Sequence, residues 1–480
     1  MPRDWSTSSA AGVDLHLDLL PGEGRRDGLE RALREAIRSG RLAAGSRLPA
    51  TRALAEELGL ARGTVSAAYD QLVAEGYLLA RHGSGTTVAH VPHAAAHHPR
   101  RPAPKPRHDL RPGTGDVSSF PVDLWLRSTR RALAAAPSAA FGYAEDLRGR
   151  PELRAALADY LGRARGVAAG PDRIVVTAGY VHALTLLARA LGPAGFALED
   201  PGLPYHRELV AHAGNKLVPL PVDARGADPA ALPAGVRALV TTPAHQYPTG
   251  VTLHPTRRRA LIEWARSTGG VVIEDDYDGE FRYDRQPVGA LQALAPGHVV
   301  YAGTSSKALA PGLRLAWLVL PPDLVGPVLE ELRLSTLGTD TLSQLALADL
   351  IGTHGYDRHI RGVRVRYRRR RDALVAALAE FPRLSAAGIS AGQHILVTLP
   401  SDAPDDPDEA ELVELARRRD LAISGLAEHW HGAAAAQVRA EQPPAERMRG
   451  LVVGYGAPTD AGYRRALSVF VDVLREAYGG

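Results

Sequence analysis

Tyr301-Ala302-Gly303-Thr304-Ser305-Ser306-Lys307, followed by Gly312-Leu313-Arg314-Leu315-Ala316-Trp317, is the stretch on which the reading of this chain turns. A strand-like run feeds a loop of small hydroxyl residues that carries one lysine. An arginine follows seven residues later, ahead of a second apolar run. A lysine amine can form an imine with an aldehyde, and hydroxyls beside a guanidinium suit a phosphate. A lysine in a polar loop ordinarily faces solvent, so this stretch alone leaves both readings open.

Further upstream, Val271-Val272-Ile273-Glu274-Asp275-Asp276-Tyr277 ends an apolar run in carboxylates. Such residues fall at the carboxyl edge of the sheet, where open α/β folds bind ligands. Pyridoxal phosphate (PLP) needs a carboxylate opposite its pyridine nitrogen, because the protonated ring is the electron sink. Asp275 and Tyr277 are of the types that suit the ring nitrogen and ring oxygen; a plain acidic turn is the alternative. Ile174-Val175-Val176-Thr177-Ala178-Gly179-Tyr180-Val181 turns a strand into a helix through glycine, which offers amides at a helix N-terminus to a phosphate. Strands are expected over residues 174–177, 238–242, 271–274, 299–302 and 315–320. They alternate with helical periodicity, the pattern of an α/β domain with a mostly parallel sheet.

The first hundred residues follow another logic. Leu29, Leu33 and Ile37 stand at helical spacing before Gly40, and a second helix is expected from Thr51 to Gly59. A third begins near Arg62, with Val65, Ala68, Tyr69, Leu72 and Val73 on one face. That face leaves Arg62, Thr64 and Ser66 exposed, as a recognition helix presents itself to the major groove. Residues 77–88 read as a hairpin wing around Arg81-His82-Gly83-Ser84-Gly85. Residues 24–108 carry 14 Lys and Arg against 7 Asp and Glu, whereas residues 109–480 carry 42 of each. A basic excess confined to one segment is what a nucleic-acid module requires. The expected domains are a reader over 13–89, an extended Pro/Ala/His-rich linker over 90–108 and an α/β domain over 109–480. The linker histidines are irregularly spaced, and no metal site is expected. The basic run Arg364–Arg371 reads as a solvated helix face.

With no cysteine, the chain has no disulfide and no thiol nucleophile. There is no basic leader before an apolar stretch and no apolar run of transmembrane length. A cytoplasmic, nucleoid-associated bacterial protein without membrane contact is expected.

The motifs Gly45-Ser46-Arg47-Leu48-Pro49, Thr51-Arg52, Leu58-Gly59, Arg62-Gly63-Thr64-Val65, Glu75-Gly76-Tyr77-Leu78 and Gly83-Ser84-Gly85-Thr86 together resemble the GntR superfamily of bacterial regulators. The resemblance implies DNA contact by Arg52, Arg62, Thr64, Ser66, His82 and Gly83, with Arg47 and Arg81 on phosphates. Residues 110–480 resemble fold-type-I aminotransferases, which implies a central sheet and a small C-terminal α/β subdomain. Glu199-Asp200-Pro201-Gly202, Tyr205-His206-Arg207 and His245-Gln246-Tyr247-Pro248-Thr249-Gly250 resemble the MocR subgroup, regulators that fuse the two parts. That resemblance implies a PLP Schiff base on Lys307, Asp275 at the ring nitrogen and Tyr277 at the ring hydroxyl. Gly179, Tyr180, Val181, Thr304, Ser306 and Arg314 would hold the phosphate, and Tyr205 would cover the ring. Arg207 would meet a ligand carboxylate, and Tyr143 would reach the cofactor of a neighbouring subunit.

Two positions depart from working aminotransferases: Tyr247 replaces the ring-oxygen asparagine, and Val452 stands where an arginine clamps the substrate carboxylate. Arg449 is a candidate for a displaced clamp. Without a fixed clamp the substrate loses orientation, so turnover is not expected while exchange at Lys307 is. The expected function is a PLP-dependent regulator that senses an amine, an amino acid or PLP and binds a double-stranded operator with repeated half-sites as a head-to-tail homodimer. The alternatives are an active aminotransferase with an appended DNA-binding domain, or a DNA binder whose second domain is an empty dimerisation scaffold.

Overall fold

The computed structural model describes residues 24–81, 85–90, 106–283, 288–400, 406–432 and 448–478. The chain separates into two compact units, Met1–Pro104 and Lys105–Gly480. The expected linker falls mostly outside the described residues. Its last residue does not: His108 and Asp109 form a short strand paired with Leu421 and Ala422, so the second unit begins before the expected boundary.

In the first unit, helices α1 (Arg25–Arg38), α2 (Thr51–Leu58) and α3 (Arg62–Ala74) precede a hairpin of β1 (Leu78–Arg81) and β2 (Gly85–Val88). Leu29, Leu33 and Ile37 of α1 pack against Leu54, Val65, Tyr69 and Leu72, which closes a core that needs no other part of the chain. Gly59 ends α2 with φ 61°, a left-handed turn that favours glycine and aims the chain into α3. The hairpin pairs Leu78 with Val88, and the Leu48 amide bonds to the Thr86 carbonyl beside it.

The second unit is built on eight strands. In chain order they are β4 (Ile174–Thr177), β5 (Gly195–Asp200), β6 (Lys216–Asp223), β7 (Gly226–Ala227), β8 (Val236–Thr241), β9 (Val271–Asp275), β10 (Val299–Thr304) and β11 (Ala316–Val319), where β3 is His108–Asp109. Their order in the sheet is β4-β11-β10-β9-β8-β5-β6-β7. The central run from β10 to β6 is parallel, while β11 runs antiparallel to both its neighbours. Alternate residues serve opposite faces: Val175 and Leu318 pack with the helix Tyr180–Ala190, whereas Val176 and Trp317 join the core of the helices Pro151–Arg165 and Gly355–Leu378. A smaller antiparallel sheet, with Ser385–Ala387, His394–Thr398, Gly450–Gly454 and Ser424–Gly425 in that order, forms the C-terminal subdomain. No helix among the described residues is long and apolar enough to cross a membrane.

The basic run lies on the helix Gly355–Leu378, and one member is not solvated. Arg370 is buried, 3.1 Å from Asp116 and 2.6 Å from Asp460, and bonds to the carbonyls of Tyr455 and Gly456.

Candidate functional site

Parallel β9 and β10 end at the same sheet edge, with Ala302 in register with Asp275. The chain beyond each strand therefore enters one cavity of about 290 Å³. Ten of the expected residues line it: Tyr180, Val181, Tyr205, Arg207, Asp275, Tyr277, Thr304, Ser306, Lys307 and Arg314. Three successive carboxylates at the end of β9 have separate fates. Glu274 accepts the amides of Leu291 and Gln292, and Asp276 is clamped by buried Arg165 at 2.7 Å and by the Tyr301 hydroxyl. Asp275 alone faces the cavity.

Burial pushes the Asp275 carboxyl up to about 8, and the nearby Tyr180 hydroxyl and Lys307 offset only part of that. Its Oδ1 is buried without a hydrogen-bond partner, as is the Tyr180 hydroxyl. Burial also lowers the Lys307 ammonium, against the pull of Asp278 and Asp275. Lys307 Nζ donates to the Gly113 carbonyl. Tyr277 is braced by His245, its hydroxyl lying 3.1 Å from both the backbone oxygen and Nδ1, and the same Nδ1 lies 2.8 Å from Asp278. His245, Asp278 and His394 form a buried cluster of metal-ligating types that the sequence reading did not bring together.

The other end of the cavity has the character of an anion site. Gly179, with φ 95°, precedes the helix Tyr180–Ala190, α6 in chain order after α4 (Val122–Ala135) and α5 (Pro151–Arg165). A Cβ there would lie 3.0 Å from the Arg314 guanidinium, so glycine is what lets the arginine approach the helix start. Arg314 is exposed with φ 52°; its amide donates to the Pro311 carbonyl, and its guanidinium has no ion-pair partner among the described residues. The Thr304 and Ser306 hydroxyls are joined at 3.0 Å, and buried Ser305 instead ties the loop to the Leu315 carbonyl.

Two expectations about charge require completion. Arg207 borders the cavity, but its guanidinium donates to the carbonyls of Gly202, His429 and Trp430 at 3.0–3.1 Å. Those bonds fasten the loop through Nη1 and Nη2, while the guanidinium keeps its charge beside the cavity. Arg449 donates to the Pro407 carbonyl and does not line the cavity. Val452 packs with Leu396 and Leu426 in an apolar cluster. The Tyr247 hydroxyl is held by His429 Nε2 at 2.9 Å. Tyr143 is 96% exposed and stands away from the Lys307 cavity of its own chain.

In the first unit, Arg47, Arg52, Arg62 and Arg81 are exposed and have no ion-pair partner among the described residues. By contrast Arg34 forms a two-point bond with Glu75 at 2.9–3.0 Å. Thr64 and Ser66 are half-buried on the first turns of α3 beside Arg62. His82 and Gly83 lie outside the described residues.

One chain thus joins a winged helix-turn-helix to an aminotransferase fold. Residues 25–88 match the gntR family of bacterial regulatory proteins, and residues 113–425 match aminotransferase class I and II. The chain is 32% identical over 455 residues to the HTH-type pyridoxine biosynthesis transcriptional regulator PdxR of Corynebacterium glutamicum, covering 93% of this chain and 95% of that one. It is 35% identical over 375 residues to the probable rhizopine catabolism regulatory protein MocR of Rhizobium meliloti, covering 72% and 76%. The second unit shares its fold with the kynurenine aminotransferase of Pyrococcus horikoshii, at a TM-score of 0.66 and 24% identity over 77% of this chain and 91% of that one. The chain belongs to the MocR-type GntR family of transcriptional regulators, whose members carry a class I/II aminotransferase domain. The relative that matches across both units is a regulator, as is MocR, which favours regulation over amino-group transfer as its function.

Proposed function

We propose that this regulator holds PLP on Lys307 and uses the loaded cavity to sense an amine, an amino acid or PLP itself. One observation carries the reading: Asp275 Oδ1 is buried and orphaned at the cavity wall. An orphaned buried carboxylate oxygen is costly, and a pyridinium N–H is the partner its position suits. The residues present fit the group elsewhere too. Arg314, the amides that open α6, Thr304 and Ser306 would take the phosphate, Tyr277 the ring oxygen and Tyr205 one ring face. When bound, the cofactor supplies an aldehyde carbon that reacts reversibly with amines. Lys307 is suited to that role because burial favours its neutral, nucleophilic form.

In the same reading, Arg62, Thr64 and Ser66 read bases, while Arg47, Arg52 and Arg81, with His82 and Gly83, hold the backbone. The operator has repeated half-sites because the protein is a head-to-tail homodimer, with Tyr143 completing the partner's phosphate site. Such a protein resides with the nucleoid in the bacterial cytoplasm.

Purified protein mixed with PLP should turn yellow, and borohydride should fix the cofactor to Lys307. Lys307→Ala should abolish both. A wild-type protein that stays colourless with PLP refutes the reading.

A further inference from the structure

Behind Tyr277 lie two buried residues that do not line the cavity themselves, His245 and Asp278. His245 Nδ1 is 2.8 Å from Asp278 Oδ2 and 3.1 Å from the Tyr277 hydroxyl, which is equally far from the His245 carbonyl oxygen. Among the described residues, His245 is the one basic side chain within ion-pair distance of Asp278. Packing fixes the pair in place. Gly392 has φ 75°, and a Cβ there would overlap His245 Cε1 and sit 2.6 Å from Asp278 Oδ2.

A carboxylate oxygen accepts and cannot donate, so the hydrogen between the pair belongs to His245 Nδ1. Held there, Nδ1 cannot take the phenol's hydrogen and faces the Tyr277 oxygen as a donor. The Tyr277 hydrogen is left for the His245 carbonyl or for the cavity that Tyr277 lines. The ionisable groups around the pair come from several elements. The His394 ring lies 4.9 Å from that of His245, and burial holds it well below its ordinary value, so it adds no charge near pH 7. The Tyr247 ring lies 6.3 Å from that of Tyr277, and Asp275 and Lys307 stand on the cavity wall. Arg165 and Arg282 share a small pocket with the pair, Arg165 being clamped to Asp276.

We infer that Asp278 and His245 are positioning residues that keep the Tyr277 hydroxyl available to the ring oxygen of the cofactor. The inference rests on the function proposed above. Asp278 fixes the tautomer of His245, His245 supports the Tyr277 oxygen, and only Tyr277 reaches the cofactor. A donor at the ring oxygen stabilises negative charge there, so the proton shared with the Lys307 link leaves at a lower pH.

The test is the pH at which the visible band of full-length, PLP-loaded protein converts to its short-wavelength form. Tyr277→Phe should raise that pH. Asp278→Asn and His245→Leu should raise it too, by about half to one pH unit, the worth of one hydrogen bond. Neither should add to the shift of Tyr277→Phe when combined with it, because all three act through one hydroxyl. His245→Asn puts an amide N–H where Nδ1 stood and should stay near the wild-type pH, a rescue that a purely structural role does not predict. An unshifted transition in Asp278→Asn overturns the inference. So do shifts that add in full to that of Tyr277→Phe, or a wild-type band that Tyr277→Phe leaves unmoved. Circular dichroism checks each fold, and if His245→Leu unfolds, the near-isosteric Asp278→Asn decides. A wild-type protein that never links PLP refutes the parent reading instead.

Discussion

Asp275 concentrates the chemistry of the second unit in a single proton. Its carboxyl is lifted from 3.8 to about 8 mainly by burial, with Asp276 and Asp278 adding repulsion. The folded protein therefore holds a proton that the unfolded chain releases near pH 4. The resulting stabilisation is full below that pH and is lost as pH rises through about 8. Glu274 and Glu280, lifted to about 7 by burial and Asp276, act in the same direction. Cofactor-free protein should consequently melt at a lower temperature near pH 8.5 than near pH 6. Asp275→Asn keeps the shape and cannot ionise, so it should remove part of that slope and leave the share of the two glutamates. Thermal melts of both proteins across this range decide the matter; an unaltered slope in the variant would show that Asp275 is ionised at neutral pH.

At the level of elements, two helix starts carry the two functions. In α3 the first turn bears Arg62, Thr64 and Ser66, and a two-point contact from arginine to a base discriminates by about 1–3 kcal/mol. Arg62→Ala should weaken operator binding about 5- to 150-fold while changing binding to random DNA far less. Arg52→Ala should weaken both alike and lower the salt dependence, as loss of a phosphate contact does. In α6 the constraint is steric. Gly179→Ala would put a methyl 3.0 Å from the Arg314 guanidinium at φ 95°, a backbone strain of about 1–3 kcal/mol. PLP titration should show correspondingly weaker binding, with circular dichroism unchanged.

How much of this was legible beforehand differs by element. The three reader helices and all five expected strands appear where hydrophobic spacing put them, within one or two residues, because each buries a regular face. β6 escaped notice: Pro219 and Pro221 break a strand pattern, yet both lie where β7 does not pair, since β7 meets only Val222 and Asp223. Lys307 and Asp275 were legible because strand ends point at one edge. The partners of Arg207 were not, since the carbonyls of His429 and Trp430 lie more than 220 positions away. His394 had no motif around it, and only the fold brings it to the cavity.

For the whole molecule, the pertinent fact is what the second unit leaves uncovered. Val122, Leu126 and Leu133 of α4 are exposed, and so are Phe141 and the almost fully exposed Tyr143. Apolar side chains grouped along one stretch of chain are what a partner subunit covers. On the reading in which Tyr143 completes a neighbour's phosphate site, light scattering at micromolar concentration should give a dimer, and Tyr143→Phe should weaken PLP binding without altering the fold. The decisive measurement is complementation. Chains bearing Lys307→Ala cannot link PLP, and chains bearing Tyr143→Phe link it weakly. In a mixed dimer, the cavity of the Tyr143→Phe chain has its own Lys307 and receives an intact Tyr143 from its partner. Unfolding and refolding the two variants together should thus restore wild-type PLP affinity in one cavity of each heterodimer. If Tyr143 instead serves its own chain, no mixture can recover that affinity, and the exposed surface must serve some other contact.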